Sequence, residues 1–508
     1  MLSIFDEGPF TPCPSFFNLA AHVLSQADVA PGKTALAILS PDHSECWSYA
    51  ELKAAVLGTG TGLLAAGFRP GDILLMRLGN TVEFPLAYLG AIAVGMVPVP
   101  TSAMLTEAEV RKMIAQLRPA GVLHDAGVAC PNDMGLRMIE TAELLKMRDL
   151  PPADYDMGDP ERLAYIIYTS GTSGIPRAVM HAHRAIWARK MMHQGWYGLS
   201  ADDRMLHAGA FNWTFTLGTG LMDPWSVGAT ALIPAQDVAI EAIPSLLKHH
   251  EATLFAAAPG VYRKILNHHS NMDLPRLRHG LAAGEKLSDT ILRHWTDATN
   301  GKQIFEAYGM SECSTFISAS PQHPAASGSL GRPQAGRKIA VMDKEGPVSH
   351  RNEGIISIHR SDPGLMLGYY GAPKETAAKF QGDWFLTGDH AQMSADGDIT
   401  FLGRVDDMMN AGGFRVSPLE VETTLHAHPK VREIGVTDIE IKEDTRVIAA
   451  FYTSDAPIPE EELRAFAESR LARYKQPRLW HRIETMPTNP NGKLSRKALR
   501  QFRPDHQG

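Results

Sequence analysis

Short apolar runs that end in small or polar residues recur along the first four-fifths of this chain, separated by stretches of helical periodicity. Leu163 to Tyr168, Thr253 to Ala258, Leu281 to Ala283 and Ile304 to Tyr308 are too short for buried helices. They lack the alternation of half-exposed strands, so they read as central strands buried on both faces. This pattern constrains the fold to α/β, with loops at the strand ends gathering the functional groups. Ser48 to Ala66 reads as an intervening helix, with Ser48 as N-cap and Glu51 closing a capping box. Arg69-Pro70-Gly71-Asp72 is a turn into a strand over Ile73 to Leu78, and Glu83 to Val94 is a further helix. A helix is also expected to resume near His183.

The last hundred residues change character. Ser417-Pro418-Leu419-Glu420 is a helix start, Val431 to Val436 and Val447 to Thr453 read as strands, and Glu460 to Arg473 is amphipathic. The 508 residues exceed one hydrophobic core, which stops growing at roughly 250–300 residues. We therefore expect a large multi-sheet α/β N-terminal domain over residues 1–405 and a small α+β C-terminal domain over residues 406–508.

Several function classes are disfavoured. The net charge is -7 and no basic stripe stands out, so nucleic acid is not an expected partner. No run approaches the roughly 18 apolar residues of a membrane span. Met1 to Phe10 does not read as a signal peptide, so a cytoplasmic location is expected. Cys13, Cys46, Cys130 and Cys313 show no CxxC spacing, which argues against a zinc site or a disulfide framework. The histidine pairs His181/His183, His249/His250 and His268/His269 read as solvated faces. Gly60-Thr-Gly62-Leu-Leu-Ala65 matches a dinucleotide fingerprint, but it lies inside a helical pattern instead of directly after a strand.

The strongest local signal is Tyr168-Thr-Ser-Gly-Thr-Ser-Gly-Ile-Pro-Arg-Ala-Val179. Gly171 and Gly174 let backbone N–H groups approach an anion closely. Thr169, Ser170, Thr172 and Ser173 add hydroxyl donors, and Arg177 adds a fixed charge, which together suit nucleotide phosphates. It is not a Walker A loop, which needs G-x-x-x-x-G-K-[ST].

This loop resembles the phosphate-binding loop of the acyl-adenylate-forming superfamily, which holds acyl-CoA synthetases, peptide-synthetase adenylation domains and luciferases. Further segments resemble that family in order: Glu306-Ala307-Tyr308-Gly309-Met310-Ser311-Glu312, Trp384 to Asp389, Gly403 to Met408 continuing to Arg415 and Glu420, and Pro487 to Lys493. The resemblance implies ATP, Mg²⁺ and coenzyme A as cofactor and co-substrates, and a mobile C-terminal domain. It assigns Tyr308 to adenine, with Gly284, Glu285 and Lys286 walling the same pocket. It assigns Ser311 to the α-phosphate, Glu312 to Mg²⁺, Asp389 to the ribose hydroxyls with Arg404 in support, and Lys493 to the α-phosphate and attacking carboxylate. The hinge maps to Asp406, and Gly412 and Gly413 face the pantetheine tunnel. The chain departs from the family in having Arg177 for the usual lysine, Ala178 for the following glycine, and Ser311 for threonine.

The acyl pocket implied by the resemblance runs through Phe211, Asn212 and Trp213, with Ala258 and Gly309. The first of these segments carries no aspartate to hold a substrate ammonium. The neighbouring stretches resemble benzoate-type and medium-chain acyl-CoA ligases. The expected activity is an AMP-forming acid–CoA ligase on an aromatic or short-to-medium acid, with a homodimer left open. Two alternatives stand: a stand-alone adenylating enzyme that loads a separate carrier protein, or a nucleotide-binding protein without catalysis.

Overall fold

The computed structural model describes residues 1–41, 43–169, 177–284, 286–326, 328–404, 409–411, 414–442, 445–488 and 494–502. Its largest sheet has nine strands in the order Arg332–Pro333, Ser314–Ser318, Ile304–Met310, His279–Ala283, Leu254–Ala257, Arg204–His207, Thr230–Pro234, Thr34–Leu39 and Ser44–Ser48. The six strands from Ile304–Met310 to Thr34–Leu39 run parallel, and the flanking ones antiparallel. Leu254–Ala257 and His279–Ala283 are buried along their whole length, as expected of strands built on the apolar runs Leu254–Ala257 and Leu281–Ala283. Phe255, Tyr262 and Trp295 pack together beside them, with ring centroids 4.8–5.8 Å apart.

A second, parallel sheet has the order Val97–Pro100, Ile73–Arg77, Gly121–His124, Arg137–Glu140. The helix Tyr49–Ala65 begins at Ser48 with the capping box formed, and Glu83–Ala93 is buried throughout. The glycine-rich fingerprint is indeed helical. Its glycines permit close packing, since a Cβ on Gly60 would lie 2.8 Å from Val94 and one on Gly62 2.2 Å from Met147.

The chain after the phosphate loop holds a strand that the sequence pattern did not signal. Arg177–Ala182 is a strand, paired antiparallel with Leu163–Thr169 and edged by Gly368–Tyr369. Helix resumes at Ala185, as expected near His183. A strand partner almost two hundred residues away closes this three-stranded sheet, and no local pattern signals it. A fourth sheet joins Ile4–Asp6, Lys338–Met342, Glu353–His359, Trp384–Met393 and Phe380–Gln381, with Ile399–Arg404 also paired to Trp384–Met393.

The C-terminal region has its own sheet, Glu433–Lys442, Thr445–Thr453 and Leu479–Arg482, covered by the helices Pro418–His426 and Glu460–Glu468. The second helix stops short of Arg473. The chain turns after Ser469, which buries Leu471 against Val421, Val436 and Ile448. Arg263 and Glu433, 2.9 Å apart, and the Ser417 hydroxyl donating to the Leu402 carbonyl tie this region to what precedes it. Among the described residues no helix is long and apolar enough to cross a membrane.

Candidate active site

The parallel register sets the site. His207 pairs with Ala256, Ala257 with Ala282, and Ala283 with Ala307. The next residues, Ala208, Ala258, Gly284 and Tyr308, therefore emerge along one edge of the sheet, where open α/β sheets place their ligands. Gly309 follows at a bulge against Ser314–Ser318. A Cβ there would stand 2.1 Å from the Ser314 carbonyl oxygen, so only glycine fits. Met310 packs with Tyr308 into the core behind.

Tyr308, Asp389 and Arg404 form one cluster. The Tyr308 hydroxyl donates to Asp389 Oδ2, and Arg404 Nε lies 3.2 Å from Asp389 Oδ1. Asp389 and Arg404 face each other across paired strands. Asp389 is buried, yet its Oδ1 and Arg404 Nε form no aligned hydrogen bond with the described residues. Burial pushes the Asp389 carboxyl up, against the pull of Arg404 and the Tyr308 hydroxyl. Burial and the adjacent Asp389 likewise push the Tyr308 phenol up, so it remains a donor.

A second cluster holds Glu312. Its Oε1 accepts the Tyr369 hydroxyl at 2.8 Å, and its carbonyl accepts the Met366 N–H at 2.8 Å. The Arg177 guanidinium lies over the Tyr369 ring, 5.1 Å from the centroid, and reaches Glu375 at 3.2 Å. The Ser311 carbonyl is bonded to His181 Nε2 at 2.7 Å. His181 and His183 are buried, which corrects their reading as a solvated pair. His181 stacks on Tyr165 and is pushed down to about 4 by burial, so it stays neutral. The Glu312 carboxylate keeps lone pairs free of the tyrosine bond, and its hard oxygens fit a divalent cation. Among the described residues no group of three or more metal-ligating side chains gathers, so such an ion would share its shell with phosphates and water, as Mg²⁺ commonly does.

Around the sheet edge, Phe211 is buried and its N–H donates to Asn80 Oδ1 at 2.7 Å, while Asn212 Nδ2 donates to the Thr101 carbonyl at 3.3 Å. Trp213 packs edge-on against Phe215, 5.1 Å away, and against His207. A Cβ on Gly284 would be 3.5 Å from the Trp213 ring, so the expected acyl and adenine walls adjoin. Glu306 accepts the Leu287 N–H at 2.9 Å beside Lys286, and loss of hydration pushes its carboxyl up to about 7.

The structure thus gathers Tyr308 with Asp389 and Arg404, and Glu312 with Arg177. Ser170, Gly171, Thr172, Ser173, Gly174, Glu285, Asp406, Gly412, Gly413 and Lys493 lie outside the described residues, and Thr169 and Arg415 are described in backbone only. Thr169 pairs with Arg177 across the hairpin, and Arg415 with Asn410. Sequence reasoning missed Tyr369, Glu375 and Asn80. The only local signal was the short Gly368-Tyr369-Tyr370 segment, which nothing nearby links to Glu312.

The model of the AMP-binding enzyme family matches residues 23–370, and that of the AMP-binding enzyme C-terminal domain matches residues 420–493. The chain is 27% identical to a benzoate–CoA ligase of Thauera aromatica, covering 98% of this chain and 99% of that one. It is 28% identical to the human mitochondrial acyl-coenzyme A synthetase ACSM2A, over 96% of this chain and 91% of that one. The crystal structure of a benzoate CoA ligase from Burkholderia xenovorans LB400 superposes with a TM-score of 0.84 at 28% identity, covering 95% and 100% of the two chains. With a family model spanning most of its length and the same multi-sheet architecture, this chain belongs to the AMP-binding enzyme family.

Proposed function

We infer that this protein is an ATP-dependent acid–CoA ligase that forms an acyl-AMP and then an acyl-CoA thioester. The observation that carries the reading is the Tyr308–Asp389–Arg404 cluster: a buried carboxylate with one oxygen beside Arg404 but without an aligned hydrogen bond, next to a tyrosine at a strand end and near Glu312. Such a carboxylate accepts ribose hydroxyls, and the tyrosine ring offers a face to adenine. Ser311 and Arg177 face the phosphates, with the segment from Thr169 to Gly174 supplying backbone and hydroxyl donors. When bound at Glu312, Mg²⁺ supplies charge neutralisation for the polyphosphate. The substrate carboxylate attacks the α-phosphorus, the bond to the bridging oxygen breaks, and pyrophosphate leaves. Lys493 and Arg177 stabilise the charge that builds there.

In the second half-reaction the CoA thiol attacks the acyl carbon, and AMP leaves. We assign this step to a second placement of a C-terminal domain over residues 406–508, turning at Asp406, with Gly412 and Gly413 facing the pantetheine. The acid is aromatic or short-to-medium in chain length. Trp213, Phe215 and His207 make an aromatic wall, and His207 is held neutral deep in it, pushed down to about 3 by burial. Such a wall favours planar or compact apolar groups and offers no carboxylate to an ammonium.

Pyrophosphate release from Mg-ATP is the direct test, across benzoate, substituted benzoates, cyclohexanecarboxylate and C2 to C12 fatty acids, each with and without CoA. Turnover that needs both one acid class and CoA is the expected result. Adenylate formation without CoA stimulation would favour carrier loading, and silence across the panel would overturn the ligase reading for these acids.

A further inference from the structure

Tyr369 stands between the two charged side chains at the phosphate end of the site, and no role has been given to it so far. We propose that Tyr369 is a positioning residue for nucleotide binding: its hydroxyl orients the Glu312 carboxylate, and its ring parks Arg177 on Glu375 until a polyphosphate takes the guanidinium over. The inference rests on the nucleotide site described above.

Three observations carry it. The first is that Tyr369 is itself held firmly. It is buried, its backbone pairs with Val179 across the sheet, and its N–H donates to Thr376 Oγ1 at 2.9 Å. Thr376 and Glu375 lie on the same short helix, Pro373–Ala378, so one element carries both the anchor of the tyrosine and the carboxylate that meets Arg177. The second is the geometry of the contacts. The hydroxyl takes one lone pair of Glu312 Oε1 and leaves the remaining carboxylate lone pairs for a cation.

The third is the identity of residue 177. A guanidinium is planar and weakly hydrated, so it lies flat on an aromatic ring while pairing at its edge. An ammonium is a compact, strongly hydrated point charge and gains less from such a seat. Arginine at this position is therefore matched to the tyrosine beneath it. The Arg177–Glu375 pair is partly exposed, at 25% and 51% for the two side chains, so it is weak enough to exchange for phosphate.

Two substitutions should move affinity in opposite directions. Tyr369→Phe keeps the ring under Arg177 and removes only the bond to Glu312. It is expected to weaken ATP binding about tenfold in the presence of Mg²⁺, the usual effect of losing a hydrogen bond to a charged group, and to leave metal-free ATP binding nearly unchanged. Glu375→Gln removes the resting partner of Arg177 and is expected to tighten ATP binding about two- to fivefold with or without Mg²⁺. Titration calorimetry of the full chain with ATP, in Mg²⁺ and in chelator, reads both, and a thermal melt of each variant reports its folding. Equal weakening of Tyr369→Phe in both buffers would overturn its action through Glu312. Looser binding by Glu375→Gln would overturn the resting pair. If the unsubstituted protein binds no ATP, the nucleotide site itself fails and this proposal with it, whereas unchanged binding in both variants would overturn the proposal alone.

Discussion

Glu306 shows how one residue can report on its surroundings. It sits on a strand whose neighbours are apolar, and loss of hydration raises its carboxyl from the ordinary 4.5 to about 7 despite the bond from the Leu287 N–H. Between these two values the folded chain binds more protons than the unfolded one, so stability falls as pH rises through that window. The recess leaves the side chain partly open to solvent, and the loss across the window is about 1–2 kcal/mol after that allowance. Glu306→Gln has the same shape and no charge to bury. Thermal melts from about pH 5 to about pH 8 should decline for the parent and stay flatter for the variant; parallel curves would show that Glu306 ionises freely in the folded state. The residue type was legible in the sequence as part of a motif. Its environment was not, because Leu287 and Lys286 reach it from the neighbouring strand's loop.

At the scale of elements, the helix Tyr49–Ala65 was legible almost to the residue. Its capping box, Ser48 with Glu51, and its apolar positions are all local. What the local pattern does not reveal is why a good helix carries Gly58, Gly60 and Gly62. A Cβ on Gly58 would lie 2.6 Å from the Arg148 carbonyl oxygen and 2.7 Å from that of Leu150, so the helix packs its backbone against a crossing segment. Gly58→Ala gains about 1 kcal/mol of helix propensity but forces two backbone oxygens apart, which costs about 1–3 kcal/mol. Because rigid backbone cannot yield as a side chain tip can, the clash should win, lowering the midpoint of the first unfolding transition in urea. A raised midpoint would mean that the segment from Arg148 to Leu150 moves aside freely. Strand Arg177–Ala182 is the opposite case. Its partner Gly368–Tyr369 is remote in sequence, so no local pattern marks the strand, whereas the helix expected near His183 does start just after it, at Ala185.

At the scale of the whole molecule, the C-terminal region has a core of its own, with Val421, Leu425, Val436, Ile448 and Ala450, and among the described residues its polar contacts with what precedes it include Arg263 with Glu433. In the proposed mechanism this region takes a different placement in each half-reaction. Lys493→Ala should therefore lower adenylation at least about a hundredfold, as for loss of one transition-state donor, and spare thioester formation from supplied acyl-AMP. Single-turnover assays of each half-reaction separate the two, and equal loss in both would overturn a rotating domain. The sequence alone determined the α/β class and the family and supplied the candidate site residues, because glycine-rich loops, capping boxes and buried apolar runs are local patterns. Tertiary structure alone decided that Asp389 meets Tyr308, that Trp213 meets the wall at Gly284, and that Tyr369 stands between Glu312 and Arg177. These contacts join residues far apart in the chain, and what they depend on is sheet register and packing, which are set by the fold as a whole.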